Sequence, residues 1–479
     1  MFRISFQSLI QGSARLLDRL IFASLLALLA LLAIPYGAVE PWWESIFECA
    51  VFALTALWII EGMLSGTWRV GGYGLLAPLL ALIILAFLQS QPLWDGMWGA
   101  GVAAGIETQA GLAISADPYE TRRFAFKLIA LALAGVLLWS HSASRRRLSS
   151  LIHMVILIGV ASAVFGIVRQ TAQPDAAQAG IAEGFLLPYL RPGQGYAQFI
   201  NRNHFAFLME MALGLALGLA AGGGVRRDRS LIYVAAMIPL IAALSLSNSR
   251  GGVGSLLIQA MLFTLMFGYA RRAERAEESS GVSNRLASLK RFGHSPAPRL
   301  AFAVCLVLVL AVGVIWMGGD PLVNRLEALP ADMRAASANE RASQSRVEIW
   351  RATWGLVTAH PIAGIGLGAY AVAISSSHDS SGETVPREAH NDYLELLASG
   401  GVIGGLFGLW FVFALIKSAR AQLRSTDPFR RAACFGAILG LLGVATHSLV
   451  DFGLHITINA LVFTALAVIA TLDGRVKTT

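Results

Sequence analysis

Twelve stretches of the chain are apolar over a length that can cross a bilayer, about 17–25 residues each. They fall at 17–36, 45–62, 74–90, 123–140, 150–168, 203–222, 231–247, 251–270, 300–317, 399–417, 432–449 and 456–472. Polar residues collect in the short turns between them and in three long segments at 91–121, 169–202 and 318–398. This alternation predicts an all-α polytopic membrane protein of about twelve transmembrane helices. The first stretch is flanked by Arg15, Asp18 and Arg19, with no small-residue cleavage site before the next, so it is expected to be a retained helix and not a signal peptide.

The segment 318–398 is far longer than an ordinary connection, and such loops are usually functional or disordered. It is not of low complexity. An amphipathic stretch at 345–357 carries Trp350 and Trp354, a Pro/Gly turn region follows, then a polar patch at 375–384 and a second helical pattern leading into the tenth span. The expected organisation is therefore 1–317 for spans one to nine, 318–398 for a large, partly helical external loop, and 399–479 for spans ten to twelve.

Charge gives this arrangement a side. With the N-terminus inside, 24 of the 37 Lys and Arg residues fall in cytoplasmic segments, and the short turns at 145–147 and 226–229 are almost purely basic. That distribution follows the positive-inside rule and predicts both termini in the cytoplasm. The segment 271–299 reads as a solvated, partly disordered cytoplasmic loop. The net charge of +8 follows loop topology without forming a stripe, which argues against nucleic acid. A composition of 56% hydrophobic and 14% charged residues excludes an ordinary soluble domain, and 48 glycines suit close-packed membrane helices. Cys49, Cys305 and Cys434 sit in apolar runs with no metal-site or disulfide spacing.

Among the external cations all but Lys127 are arginine. Arginine offers a planar fork of donors suited to phosphate oxygens, although an interfacial arginine also snorkels to headgroups. Arg202, Arg250 and Arg346 each stand in a polar cluster beside an apolar span or amphipathic helix, which points to an anionic ligand. Arg202 lies in Asn201-Arg202-Asn203-His204, and Arg250 in the very short turn Asn248-Ser249-Arg250-Gly251-Gly252. A bare helical hairpin would not need that arginine. Ser345-Arg346 opens the amphipathic stretch, and the glycine run His360 to Gly368, with Gly366, follows it. That run lacks the strand–turn–helix setting of a dinucleotide fold and reads first as a tight packing turn. His390-Asn391 leads to Glu395 and to Gly401/Gly405 and Gly404/Gly408, small-xxx-small faces that allow close helix contact. An imidazole at the membrane surface can take a proton from a hydroxyl. Asp451, in the turn His447 to Phe452 with His455 beyond, is expected to neutralise an arginine or orient a histidine, because a lone carboxylate at membrane depth is costly. No D-x-D, Walker A, H-E-x-x-H or G-x-S-x-G motif occurs, and His378-Asp379 alone is weak as a metal site. Apart from Asp18 and Glu210, acids within the spans are scarce.

The spacing His390-Asn391, nine residues, Gly401, two residues, Gly404 resembles the loop motif of the O-antigen ligase and polymerase superfamily, membrane glycosyltransferases of the GT-C type. The Ser345-Arg346 helix, the His360-Pro361 glycine run, the Arg250 turn, the 199–205 stretch and the 447–452 turn extend the likeness over roughly 190–460. The resemblance implies a GT-C-like bundle in the bacterial inner membrane and a glycan donor on undecaprenyl diphosphate. The acceptor would be lipid A-core or a growing polysaccharide. Catalytic roles would fall to Arg250 and Arg346 on the diphosphate and to His390 on the acceptor hydroxyl. Arg202, Asn203, Asn391 and Gly366 would contact substrate, and Asp451, Gly401 and Gly404 would orient the site. No metal or other cofactor is implied, because the arginines offset the developing charge. Ligase, polymerase and protein O-oligosaccharyltransferase share the motif, and a transporter of a small anion such as bicarbonate is the alternative from another class.

Overall fold

The computed structural model describes residues 6–68, 71–92, 113–172, 195–279, 346–377 and 386–473. These residues form thirteen α-helices and, among the described residues, no strand. In chain order they are α1 (Phe6–Ala33), α2 (Pro41–Ser65), α3 (Tyr73–Gln89), α4 (Pro118–His141), α5 (Arg145–Ala172), α6 (Arg202–Ala221) and α7 (Arg227–Leu246). They continue with α8 (Arg250–Ser279), α9 (Arg346–Ala359), α10 (Tyr370–Ser377), α11 (Asp392–Gln422), α12 (Pro428–His447) and α13 (Thr457–Thr471). Eight of them are long and apolar enough to span a membrane, and Tyr73–Gln89, Arg250–Leu265 and Thr457–Thr471 are shorter apolar helices. The protein is an all-α, multi-pass membrane protein. Eleven of the twelve predicted stretches coincide with these helices, and 300–317 lies outside the described residues. Several helices outrun their apolar stretch, because backbone hydrogen bonding continues past the edge of the hydrocarbon into polar flanks.

The helix starts are written in the sequence. Asp117 and Asp427 cap α4 and α12 with Pro in the first turn, and Asn201 and Asn391 cap α6 and α11. Each side chain accepts from amides that the first turn leaves without a partner.

Helix α6 is the centre of the bundle, buried without interruption from His204 to Ala216. Its closest neighbour is α12. A Cβ on Gly214 or Gly218 would run into the backbone of Gly440 or Gly436, and one on Gly222 would strike Ala432. The close small-residue crossing is therefore Gly214/Gly218/Gly222 against Ala432/Gly436/Gly440. The faces expected at Gly401/Gly405 and Gly404/Gly408 behave differently. Gly401 is not helical at all (φ 61°, ψ −164°), and α11 breaks there into two limbs. This conformation is essentially open to glycine alone. Gly404 has only ordinary contacts, a Cβ there lying 3.7 Å from the Leu396 carbonyl oxygen. Leu396 also lies beside Gly408, so the first limb folds back against the second.

The glycine run after α9 splints this break. Val402 and Ile403 donate their amides to the carbonyls of Pro361 (2.8 Å) and Ile362 (3.2 Å), while Ile365 and Gly366 donate to Ala398 and Ser399 (both 3.0 Å). Gln89, fully buried at the end of α3, donates to Ala363 (2.6 Å) and Ser399 (2.9 Å) and accepts from Leu367 (3.0 Å). The backbone groups freed by the break are thus satisfied inside the protein, as lipid requires. The boundary expected at 399 falls inside α11.

Candidate active site

Asp451 gathers the site. It lies four residues beyond the end of α12, its side chain is 0% exposed, and it is surrounded by donors from three other elements. Arg346, the first residue of α9, places Nη2 3.2 Å from Oδ2, and Asn203 in the first turn of α6 donates its amide to the same oxygen. His390 turns Nδ1 toward Oδ1 at 3.5 Å, long for a hydrogen bond, and the Phe452 amide donates to Oδ1 at 3.0 Å. Burial opposes the charge on this carboxyl. The facing His390 and His204 imidazoles, the Phe452 amide and the Arg346 guanidinium overcome it and hold the group down at about 2. Asp451 thus pairs with Arg346 and faces His390.

His390 sits immediately before α11 in the left-handed region (φ 51°), which an L-residue occupies at a cost. Its neighbours hold it there. Ala389 donates its amide to Glu395 Oε2 (2.8 Å), Asp392 donates to the Ser448 carbonyl (3.0 Å), and Asn391 Oδ1 accepts from Tyr393 and Leu394 (3.1 and 3.0 Å). That oxygen of Asn391, expected at substrate, is committed to the helix cap. Gly366 is likewise buried against Ser115, with its amide on Ser399, so it acts through packing.

Arg250 is exposed at the first residue of α8, and no carboxylate among the described residues pairs with it. Its turn leans on the Asp451 turn, since a Cβ on Gly251 would meet the His447 ring and come within 3.2 Å of Val450. Arg202 is exposed at the same end of the bundle, one residue before Asn203. Ser345 and His378-Asp379 lie outside the described residues.

Three features were not legible in the spacing of motifs. Phe452 stands edge-on to His390 and His204 (ring centres 4.7 Å from each) and to His455 (5.9 Å). His455 points Nε2 at Glu395 (3.3 Å) and Asp392 (3.7 Å), and Ser448 Oγ donates to Asp392 (2.6 Å). Burial pushes the neighbouring Glu388 carboxyl up, with Glu395 adding to the shift and His455 opposing it. Beneath the Arg250 turn, Glu210 of α6 and His447 of α12 form a fully buried pair at 2.7 Å, and the His447 ring stacks on Phe207 (4.2 Å). Asp18, the other acid noted within a span, pairs with Arg147 near the opposite end. Each acid was visible in the sequence; its partner, more than a hundred residues away, was not.

The chemistry of this arrangement is that of anion binding beside a carboxylate-held imidazole. Comparison with curated proteins finds no match. A family model described as O-antigen ligase matches residues 235–409, a narrower span than the resemblance over 190–460. The matched stretch contains Arg250, Arg346, His390, Gly401 and Gly404 and ends before Asp451. Over residues 235–409 the chain is therefore similar to the O-antigen ligase family, and the all-α bundle brings Arg346 and His390 of that stretch to one carboxylate.

Proposed function

We propose that the protein transfers a glycan from undecaprenyl diphosphate to an acceptor hydroxyl at the periplasmic face of the bacterial inner membrane, with inversion at the anomeric carbon. The observation that carries this reading is the buried Asp451, which joins Arg346 and His390 at the end of the bundle where the Arg250 turn also packs. The family match supports the coarser statement of a glycan-transferring ligase or polymerase.

With a carboxylate facing Nδ1, the ring proton belongs on Nδ1, and Nε2 of His390 is the basic nitrogen. It takes the acceptor's proton as the acceptor oxygen attacks the anomeric carbon. The bond from that carbon to the diphosphate oxygen breaks, and its electron pair leaves with the diphosphate. Arg346 uses one terminal nitrogen on Asp451 and keeps further donors for phosphate oxygens, while Arg250 offers a whole guanidinium. Their charge opposes the charge that develops on the leaving group. The broken helix does not favour the transport reading, because the amides it frees are already bonded to Pro361 and Ile362.

The test is glycan transfer by the full chain in proteoliposomes. His390→Ala and Arg250→Ala should each lose on the order of 10²–10³ in rate while accumulating normally in the membrane. Wild-type rates in both would overturn the assignment. The acceptor class follows from a knockout: polymer stranded on the carrier marks a ligase, single capped repeats a polymerase, and unglycosylated protein an O-oligosaccharyltransferase.

A further inference from the structure

The second limb of α11 carries one continuous exposed stripe whose chemistry changes along its length. Val402, Leu406, Leu409 and Phe413 are all more than half exposed and succeed one another at helical spacings of four, three and four residues. The same stripe continues, at spacings of four, three and four, through Lys417, Arg420 and Arg424, all exposed. At 1.5 Å per residue, Lys417 lies about 22 Å and Arg420 about 27 Å beyond Val402. That is the depth at which a hydrocarbon core about 30 Å thick gives way to headgroups. The basic end is opposite the His390 site.

Cations at the end of a membrane helix often do no more than reach for water. Two observations set this group apart. Lys417, Arg420 and Arg424 border a shallow, open groove of about 280 Å³ along the helix, shared with Phe413, Ile416 and Ala421, so the charges sit beside apolar surface. No carboxylate among the described residues pairs with any of the three. The nearest in sequence, Asp427, is engaged by Arg430 (3.6 Å) and Arg145 (3.9 Å) and caps α12 through the Phe429 amide. Three cations with no carboxylate partner among the described residues, continuous with an exposed apolar stripe, complement one occupant.

We infer that this groove binds an anionic phospholipid, with an acyl chain along Leu409 and Phe413 and the phosphate among Lys417, Arg420 and Arg424. The inference stands apart from glycan transfer. The full chain, purified in neutral detergent, is exchanged into mixed phosphatidylglycerol and phosphatidylcholine of identical chains, and the retained lipid is measured by native mass spectrometry. The wild type should prefer phosphatidylglycerol by on the order of tenfold. Combined Lys417→Gln/Arg420→Gln/Arg424→Gln should abolish the preference, and Arg226→Gln/Arg229→Gln, in another basic turn, should keep it. On the unaltered chain, raising salt to about 1 M should erode the preference by screening. Equal retention of both lipids by the wild type, or an undiminished preference in the triple variant, would overturn the inference.

Discussion

At the scale of single residues, the site separates side chains that gather around Asp451 from those that hold the backbone. Asn391 shows the difference. Its position beside His390 suggests substrate contact, yet its Oδ1 accepts two amides of the first turn of α11. Replacing it with Ala should cost about 1 kcal/mol of stability, and Asp, which caps as well, should restore it. Thermal unfolding in detergent reads this directly; an Asn391→Asp protein that is stable but inactive would return the residue to the substrate side. Asp451 is the opposite case. It is held ionised, at about 2 against an ordinary 3.8, by groups on three other elements. A depressed carboxyl contributes stability above its unfolded value and loses it only as pH falls through the folded one. Asp451 therefore stays charged throughout the neutral range, so the imidazoles around it face a constant negative charge.

At the scale of elements, the break in α11 is the device that places His390. The first limb turns away from the course of the second, and the run from His360 to Gly368 seals the join. Gly401 is required by its backbone angles and by the Ile362 carbonyl that a Cβ would strike, whereas Gly404 has room for one. Gly401→Ala should therefore cost about 3 kcal/mol or more and lower accumulation in the membrane, while Gly404→Ala should change the unfolding temperature little. Equal behaviour of the two variants would show that the glycines serve a common packing face.

At the scale of the whole molecule, α6 and α12 form the post against which the site is built. Their glycine crossing brings backbone to backbone, and Glu210 and His447 meet in full burial under the Arg250 turn, near the end that carries Asp451. Losing one member of such a pair strands the other, at a cost of about 3–5 kcal/mol, whereas an apolar replacement of both is often tolerated. Glu210→Leu alone should sharply lower the unfolding temperature, and Glu210→Leu/His447→Leu should recover more than half of that loss. A double variant no more stable than the single one would show that the two residues are not coupled.

Much of this was legible in the chain. Hydrophobic runs and caps determine helices and their approximate ends, because each is a local property of a segment of about twenty residues and its flanks. The His390 motif and the arginine turns also announced themselves, because charged residues at the mouth of an apolar span need a reason. Tertiary structure alone decided which carboxylate serves which cation. Asp451 meets Asn203 and Arg346 across 248 and 105 residues of chain, and Glu210 meets His447 across 237. It also decided which glycines carry helix packing and which one breaks a helix. A G-x-x-x-G spacing states only that a close approach is possible; whether a neighbouring helix or a returning loop fills the gap depends on where the rest of the bundle sends its backbone.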